Sequence, residues 1–146
     1  MSQEERKKTE EEEKEEQLEK LKKEWPIEED ISFNEFNITE KLQNNAFLFA
    51  KYQDQLNREK AVMDKLLELK EKIIGDVYNY YRFEDDRQLQ KPEIEKYYLP
   101  RDKKIIRINA IIRKQQTNVD YFTLCCKALD KVGWNMKNFL EAHRSF

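Results

Sequence analysis

A seven-residue repeat of apolar side chains near the end of the chain constrains the fold more than any other feature. Its two alternating positions hold Ile105, Ile112, Val119 and Cys126 in one series and Ile108, Gln115, Phe122 and Leu129 in the other. This spacing predicts an α-helix that packs along one face against another helix. Asp102 is placed to cap the helix, and Gly133 to end it in the left-handed conformation. We therefore predict one helix over residues 102–132 and a separate short helix from about Trp134 to His143.

A second long helix is predicted from about Ile38 to Tyr81. Apolar residues recur there in two neighbouring rows, Leu42, Phe49, Leu56, Met63 and Val77, and Leu48, Tyr52, Val62, Leu66, Leu69 and Ile73. Two long helices joined by a connection predict an all-α fold, a long antiparallel helical hairpin plus a short C-terminal helix. Because such broad faces would leave apolar surface exposed in a lone hairpin, we also expect a homo-oligomer. The first candidates for its interface are Trp134, Met136, Phe139 and Leu140.

The first part of the chain is highly charged. Residues 1–24 hold ten Glu against seven Lys or Arg, and Leu18 and Leu21 are their only large apolar side chains beyond the initial methionine. We interpret this segment as a frayed helix or a disordered tail in which no core can form. The predicted organisation is a charged Glu/Lys-rich tail over residues 1–26 and a helical domain over residues 27–146.

Two connecting segments carry weaker patterns. Residues 27–37 mix isoleucine and phenylalanine with acids and asparagines, and they are either an arm that docks on a neighbouring subunit or a simple loop. Residues 83–101 contain Pro92 and Pro100 and are predicted to form a long connection, a length that is unusual in compact domains.

The composition argues against an enzyme. Two glycines cannot build a phosphate-binding loop, and three serines leave little room for a nucleophilic triad. One histidine and the adjacent Cys125 and Cys126 cannot close a zinc site, and Asp85-Asp86 lacks a third metal ligand. We therefore expect no catalytic residue, no metal and no cofactor. A chain without about 18 consecutive apolar residues is also not expected to span a membrane.

Positive charge is concentrated at the end of the chain that carries the heptads. Residues 101–146 contain ten Lys or Arg and four acids, although the whole chain has a net charge of −2. At 100° per residue, Lys103, Arg107 and Lys114 fall within a 40° arc on the side of the helix opposite its apolar seam. Lys104 and Arg113 widen this stripe. Such a stripe is typical of a surface that follows phosphates without reading sequence; the alternative is a merely solvated helix face.

Tyrosines gather around the predicted connection. Stacking of exposed bases on their rings would favour single-stranded nucleic acid. For Tyr78 and Tyr81 we favour packing where the two helices meet, whereas Tyr80, Tyr97 and Tyr98 are equally consistent with packing and with base stacking.

Several segments together resemble a known family. The run from Asn44 to Tyr52 is similar to the Asn-Asn-x-x-Leu-aromatic-x-Lys-aromatic segment of the UvsY-type recombination mediators of T4-like bacteriophages. Without a gap, Asn79-Tyr80-Tyr81 then falls on the family's Asp-Tyr-Tyr element. A second ungapped block runs from Lys91 to Phe146 and includes the Ala128-Leu129-Asp130 step. The resemblance covers roughly residues 31–146.

The resemblance implies a protein without catalytic activity that forms a ring-like homo-oligomer and binds single-stranded DNA. It also implies two protein partners, the RecA-like phage recombinase and the phage single-strand-binding protein, in recombination, recombination-dependent replication and repair. Such a mediator helps to load the recombinase onto strands coated by the binding protein, in the cytoplasm of the infected bacterial host. The alternative hypothesis is a structural or adaptor coiled-coil protein that does not bind DNA.

The resemblance and the charge pattern together give a candidate DNA-binding set. A family Lys-x-Arg pair is replaced here by Gly75 and Val77, so nearby bases are the candidates for its role. The complete set is Lys51, Lys70, Lys72, Tyr80, Arg82, Lys103, Lys104, Arg107, Arg113 and Lys114.

Overall fold

The protein is helical throughout the part of the chain that can be described. A computed structural model describes residues 2–144, apart from the side chains of residues 7 and 8. Every element of regular secondary structure in residues 2–144 is helical, which confirms the all-α prediction. Met1, Ser145 and Phe146, the outer ends of the two predicted regions, lie outside the described residues. The chain divides into two compact units, one that joins the residues up to Glu59 to those from Thr117 onward, and one that spans Lys60–Gln116.

The first unit combines four helical segments. It contains α1 (Gln3–Glu24), α2 (Ile27–Ile31), the first half of α3 (Ile38–Asn79) and the second part of α5 (Lys103–Arg144). The amide of Asn45 on α3 donates to the carbonyl of Leu129 on α5 at 3.4 Å, and the amide of Asn118 donates to Glu59 at 3.5 Å. Because a later position on α3 meets an earlier position on α5, the two helices run antiparallel here, as the predicted hairpin requires.

Aromatic side chains fill the core of this unit. Tyr52, Phe122 and Leu129 are among its most buried residues. The ring of Trp25 meets those of Tyr52 and Phe122 edge-on, with centroids 5.1 and 5.2 Å apart. Cys125 lies in the same core, and burial raises the pKa of its thiol to about 11. The predicted heptad face of α5 is therefore the face that this core buries.

The charged N-terminal segment is a folded helix, and the expectation that no core forms there is wrong. The Ser2 hydroxyl accepts from the Glu5 N–H at 3.2 Å while the Glu5 carboxylate accepts from the Ser2 N–H at 3.1 Å, a capping box that starts α1. Leu21 is buried against the core, Leu18 packs beside it, and Gln17 donates to Asn118 at 2.8 Å. Two leucines three residues apart share one face of a helix, which is enough to dock it. The domain boundary after residue 26 remains a prediction.

The first part of the next segment is a helix that packs on its own chain, so it is not a simple loop. Residues 27–31 form the short helix α2, whose Ile27 and Ile31 pack against the core of the first unit. The Tyr52 hydroxyl donates to the Asp30 carboxylate at 2.7 Å and so ties α2 to α3. Burial, followed by the bond to Asp30, raises the pKa of Tyr52 far above its ordinary value.

Helix α5 continues through the residue at which we predicted its end. Gly133 does not have the positive φ of a left-handed cap, and the helix runs on to Arg144. The separate short C-terminal helix is therefore wrong, although the hairpin is correct. A Cβ atom at position 133 would lie 2.6 Å from the amide nitrogen of Asn45. This glycine serves the close approach of α3 and α5 and does not serve a turn.

The second unit contains the turn between the long helices. Helix α3 ends at Asn79, two residues before the predicted end, and a π-helical turn follows at Tyr80–Glu84. After a short non-helical stretch come α4 (Lys91–Glu93), a second π-helical turn at Ile94–Tyr98 and a 3₁₀ turn at Leu99–Arg101. The predicted long connection is therefore largely helical.

Two prolines and two buried side chains explain this helical connection. Pro92 and Pro100 each stand in the first turn of a short helix, where a missing N–H has no cost. Leu89 and Ile94 are buried within the unit and anchor the connection.

Candidate nucleic-acid interface

The start of α5 is fixed by one carboxylate. Asp102 accepts a hydrogen bond from the backbone N–H of Lys104 at 2.9 Å, which confirms it as the cap. Its second oxygen accepts the hydroxyl of Tyr81 at 3.1 Å. Burial and this bond raise the pKa of Tyr81, so its phenol remains protonated as the donor. Asp102 thereby caps the first turn of α5 and also holds Tyr81, which lies at the start of the connection between the long helices.

Five bases project from the first three turns of α5. The side chains of this basic face are exposed, and they belong to Lys103, Lys104, Arg107, Arg113 and Lys114. Ile105 and Ile108 are buried on the opposite side of the helix. From Lys103 to Lys114 the face extends over about 16 Å, at about 1.5 Å per residue. An exposed row of cations of this length is suited to contact several successive phosphates of a flexible strand.

The predicted DNA-binding residues outside the basic face differ in their exposure, in their contacts and in the unit to which they belong. In the second unit, Lys72 is exposed and Lys70 is half-buried. Arg82 donates from Nη1 to the carbonyl of Leu89 at 2.9 Å and to the side chain of Gln90 at 3.4 Å, so part of its guanidinium is used to hold the connection. Lys51 lies in the first unit, where its Nζ is 5.0 Å from the centre of the Trp25 ring.

Of the two positions at which the sequence departs from the family pattern, Val77 is a core residue and Gly75 is exposed. Neither offers a charge. Within residues 70–82 of the second unit, the basic side chains are therefore Lys70, Lys72 and Arg82.

The tyrosines form a chain of ring contacts. The Tyr80 and Tyr81 centroids are 5.3 Å apart, and those of Tyr81 and Tyr98 are 5.2 Å apart. Tyr81 is half-buried by its packing, as predicted, whereas 51% of Tyr80 is exposed. Tyr97 is also exposed, with Lys96 Nζ 5.2 Å from its ring centre. Tyr80 and Tyr97 consequently present aromatic surface on which a base can stack.

An arginine that the sequence analysis did not single out supports this aromatic chain. The guanidinium of Arg87 lies 4.6 Å from the centre of the Tyr98 ring and donates to its hydroxyl at 3.0 Å. Arg87 also pairs with Asp85 at 2.8 Å, and its hydrogen bonds lower the pKa of that carboxyl to about 2. The Asp-x-Arg spacing in a turn is a sequence signal for the Asp85–Arg87 pair alone, because Asp85 also accepts the Arg87 backbone N–H at 2.9 Å.

The four predicted interface residues are divided between core and surface. Met136 is buried in a second core cluster of the first unit with Ile38, and Phe139 and Leu140 pack against that cluster. Trp134 is 61% exposed, and the Lys137 ammonium lies 5.3 Å from its ring centre. A role in assembly remains a prediction for all four, and Trp134 is the member with a large exposed apolar surface.

Among the residues that the structure describes, no three His, Cys, Asp or Glu side chains are grouped so that they could hold a metal ion. Within residues 2–144, no helix combines the length and the apolar character that are needed to cross a membrane.

The family of the chain follows from comparison with known sequences. Residues 24–145 match the family model described as recombination, repair and ssDNA binding protein UvsY. The chain belongs to the UvsY family. This assignment confirms the resemblance and favours the DNA-binding hypothesis over the structural adaptor. Helix α1 lies almost entirely before the matched region. In a comparison with curated proteins, no sequence matches.

Solved structures show the same fold. One crystal structure of the bacteriophage T4 recombination mediator protein UvsY superposes with a TM-score of 0.76 at 19% identity, covering 87% of this chain and 96% of that chain. Two further crystal forms of the T4 protein give TM-scores of 0.75 and 0.74 at 18% and 15% identity. They cover 87% and 86% of this chain, and 95% and 97% of theirs. The helical hairpin is therefore the fold of these structures as well.

Proposed function

We propose that this protein is a recombination mediator that helps a RecA-like phage recombinase to load onto single-stranded DNA coated by single-strand-binding protein. The observation that carries this proposal is the exposed basic face of α5 in a chain of a ssDNA-binding family. In this function the chain has no catalytic role, and it acts by binding and positioning the strand. Its place of action is the cytoplasm of the infected host.

In the proposed mechanism, the basic face accounts for the binding of the strand, and the later steps are those that the resemblance to the UvsY family implies. The cations of the basic face bind successive phosphates and release the counterions condensed on the strand. In a ring-like homo-oligomer, the repeated faces bend the strand around the ring and weaken the hold of the coating protein. The recombinase then nucleates on the exposed strand. In this proposal Lys70, Lys72 and Arg82 of the second unit, and separately Lys51 of the first unit, also bind DNA. Trp134, Met136, Phe139 and Leu140 contribute to assembly.

The first test is a titration of labelled oligo-dT with the protein, followed by fluorescence anisotropy at several salt concentrations. We expect the logarithm of the affinity to fall linearly with the logarithm of salt. The triple variant Lys103→Gln, Arg107→Gln and Lys114→Gln should reduce the magnitude of this slope by about 2 per bound subunit, since each neutralised phosphate of a single strand contributes about 0.7.

The matched control removes three positive charges elsewhere on α5. Lys127, Lys131 and Arg144 are exposed on the first unit, and their triple change to Gln should leave the slope nearly unchanged. Sedimentation should show the same oligomer for both variants. Equal losses of slope would mean that only net charge matters, and dissociation of the first variant into monomers would mean that the basic face is a subunit interface.

Base stacking on Tyr80 has a separate test. Tyr80→Ala should weaken binding of oligo-dT by about 5- to 100-fold, as measured for the loss of one stacked base, while Tyr80→Phe should retain binding. An unchanged affinity for Tyr80→Ala would remove this residue from the interface.

A further inference from the structure

Two large apolar side chains interrupt the basic face of α5. Ile106 is 46% exposed and Ile111 is 51% exposed, although the buried seam of the helix is formed by other residues. Lys104, Arg107, Ile111 and Lys114 follow one another at intervals of three, four and three residues and therefore lie along one side of the helix. The same intervals align Lys103, Ile106, Ala110 and Arg113. Along these rows, Ile111 has a base within one helical turn on either side, whereas Ile106 has Lys103 one turn before it and Arg113 two turns after it.

Binding of a nucleic-acid strand does not account for these isoleucines. Phosphates are held by cations and hydrogen-bond donors, and bases stack on flat rings, none of which an isoleucine provides. A merely solvated face does not account for them either, because exposed helix positions among bases are ordinarily polar. The combination of apolar centres and surrounding cations is complementary to a surface that has apolar side chains among carboxylates.

We propose that this face of α5 also binds an acidic peptide segment of another protein. Apolar side chains of the segment pack on Ile106 and Ile111, and its carboxylates pair with Lys103, Lys104 and Arg107. Ile106 and Ile111 are five residues apart and therefore lie about 140° apart around the helix, on opposite flanks of the basic face, so the segment crosses this face to reach both. The binding itself does not depend on the proposed function. Its consequence, that peptide and DNA exclude each other because they use the same cations, rests on that function.

The test measures anisotropy of a labelled peptide of about 12 residues, in which Glu and Asp surround three Leu or Phe residues. A companion peptide has the same charges, with Ser in place of each apolar residue. We expect the first peptide to bind the protein more tightly than its companion. The double variant Ile106→Ser and Ile111→Ser should lower the affinity for the first peptide by about tenfold or more, because the exposed half of each isoleucine would no longer offer the peptide an apolar contact.

Three controls make the result specific. Leu124→Ser changes another exposed leucine of α5, 65% exposed and on the first unit, and should leave peptide binding unchanged. Ile106→Leu with Ile111→Leu keeps the apolar surface and should retain binding. The serine variant should also bind oligo-dT as the unchanged protein does, and unlabelled oligo-dT should displace the peptide.

The outcomes separate the two proposals. Equal affinity for both peptides, or an unchanged affinity in the serine variant, would overturn the inference. So would a loss of oligo-dT binding in the serine variant equal to its loss of peptide binding, or a change in its sedimentation, since the isoleucines would then serve DNA or a second copy of the chain. Peptide binding by a protein that does not bind oligo-dT would support the inference and refute the proposed function.

Discussion

The two glycines of this chain both lie inside long helices, yet the structure gives different expectations for replacing them by alanine. Gly75 is in α3, and beyond its chain neighbours and the backbone of its own helix no atom lies within 4 Å of the position that a Cβ would occupy. Gly75→Ala should therefore gain the full helix propensity of alanine, about 1 kcal/mol of unfolding free energy. With a urea dependence of about 2 kcal/mol per molar, the midpoint of unfolding should rise by roughly 0.5 M.

The methyl group added by Gly133→Ala would clash with the side chain of Asn45. This Cβ would lie 2.6 Å from the Asn45 side-chain nitrogen, so the amide must move and give up its 3.4 Å bond to the Leu129 carbonyl. Loss of that bond costs about 1 kcal/mol and offsets the gain in helix propensity. We expect a net change close to zero. In an Asn45→Ala background the obstacle is absent, and Gly133→Ala should then stabilise by about 1 kcal/mol.

The assay is urea unfolding followed by circular dichroism, with all variants at one protein concentration because an oligomer's stability depends on it. An equal gain for Gly75→Ala and Gly133→Ala in the unchanged protein would refute the close approach of α3 and α5 at Asn45. A gain from Gly133→Ala that does not increase in the Asn45→Ala background would refute it independently. Destabilisation by Gly75→Ala would show that α3 is not a continuous helix at that position.

Two further predictions concern the first unit. The hydroxyl of Tyr52 has a raised pKa because it is buried and donates to Asp30, so the stability that it contributes is complete below its ordinary pKa of 10.0 and falls as the pH rises above that value. Urea unfolding at pH 8 to 11 should therefore show a smaller decline in stability for Tyr52→Phe than for the unchanged protein. Equal declines would contradict this prediction. Leu21→Ala removes a buried contact of α1 and should cost about 2–4 kcal/mol of the free energy that docks this helix, which would be seen as protease cleavage within α1. Leu18→Ala, at a half-buried position, should cost less. Equal protease resistance in the two variants and the unchanged protein would mean that Leu21 does not hold the helix.

The candidate site could be predicted in part. The basic face required only the positions of lysine and arginine on a regular helix, because side chains at fixed intervals keep fixed directions. The contribution of Arg87 could not be predicted, since it depends on a turn that brings Tyr98 against it across eleven residues. Met136 is buried in the core of its own chain. The spacing of apolar residues along a helix does not distinguish such a core from a contact between two chains, so the role of Met136 in assembly stays a prediction.

The sequence by itself determined the two long helices, the cap at Asp102 and the face of α5 that is buried, since these follow from local periodicity and from hydrogen bonds between near neighbours. Only the tertiary structure decided that α1 docks through Leu21 and that α5 continues past Gly133. Both outcomes depend on residues far away along the chain, the core around Phe122 for α1 and the amide of Asn45 for Gly133. A glycine looks the same in a sequence whether it provides a left-handed turn or space for a neighbouring helix, and only the position of that neighbour distinguishes the two.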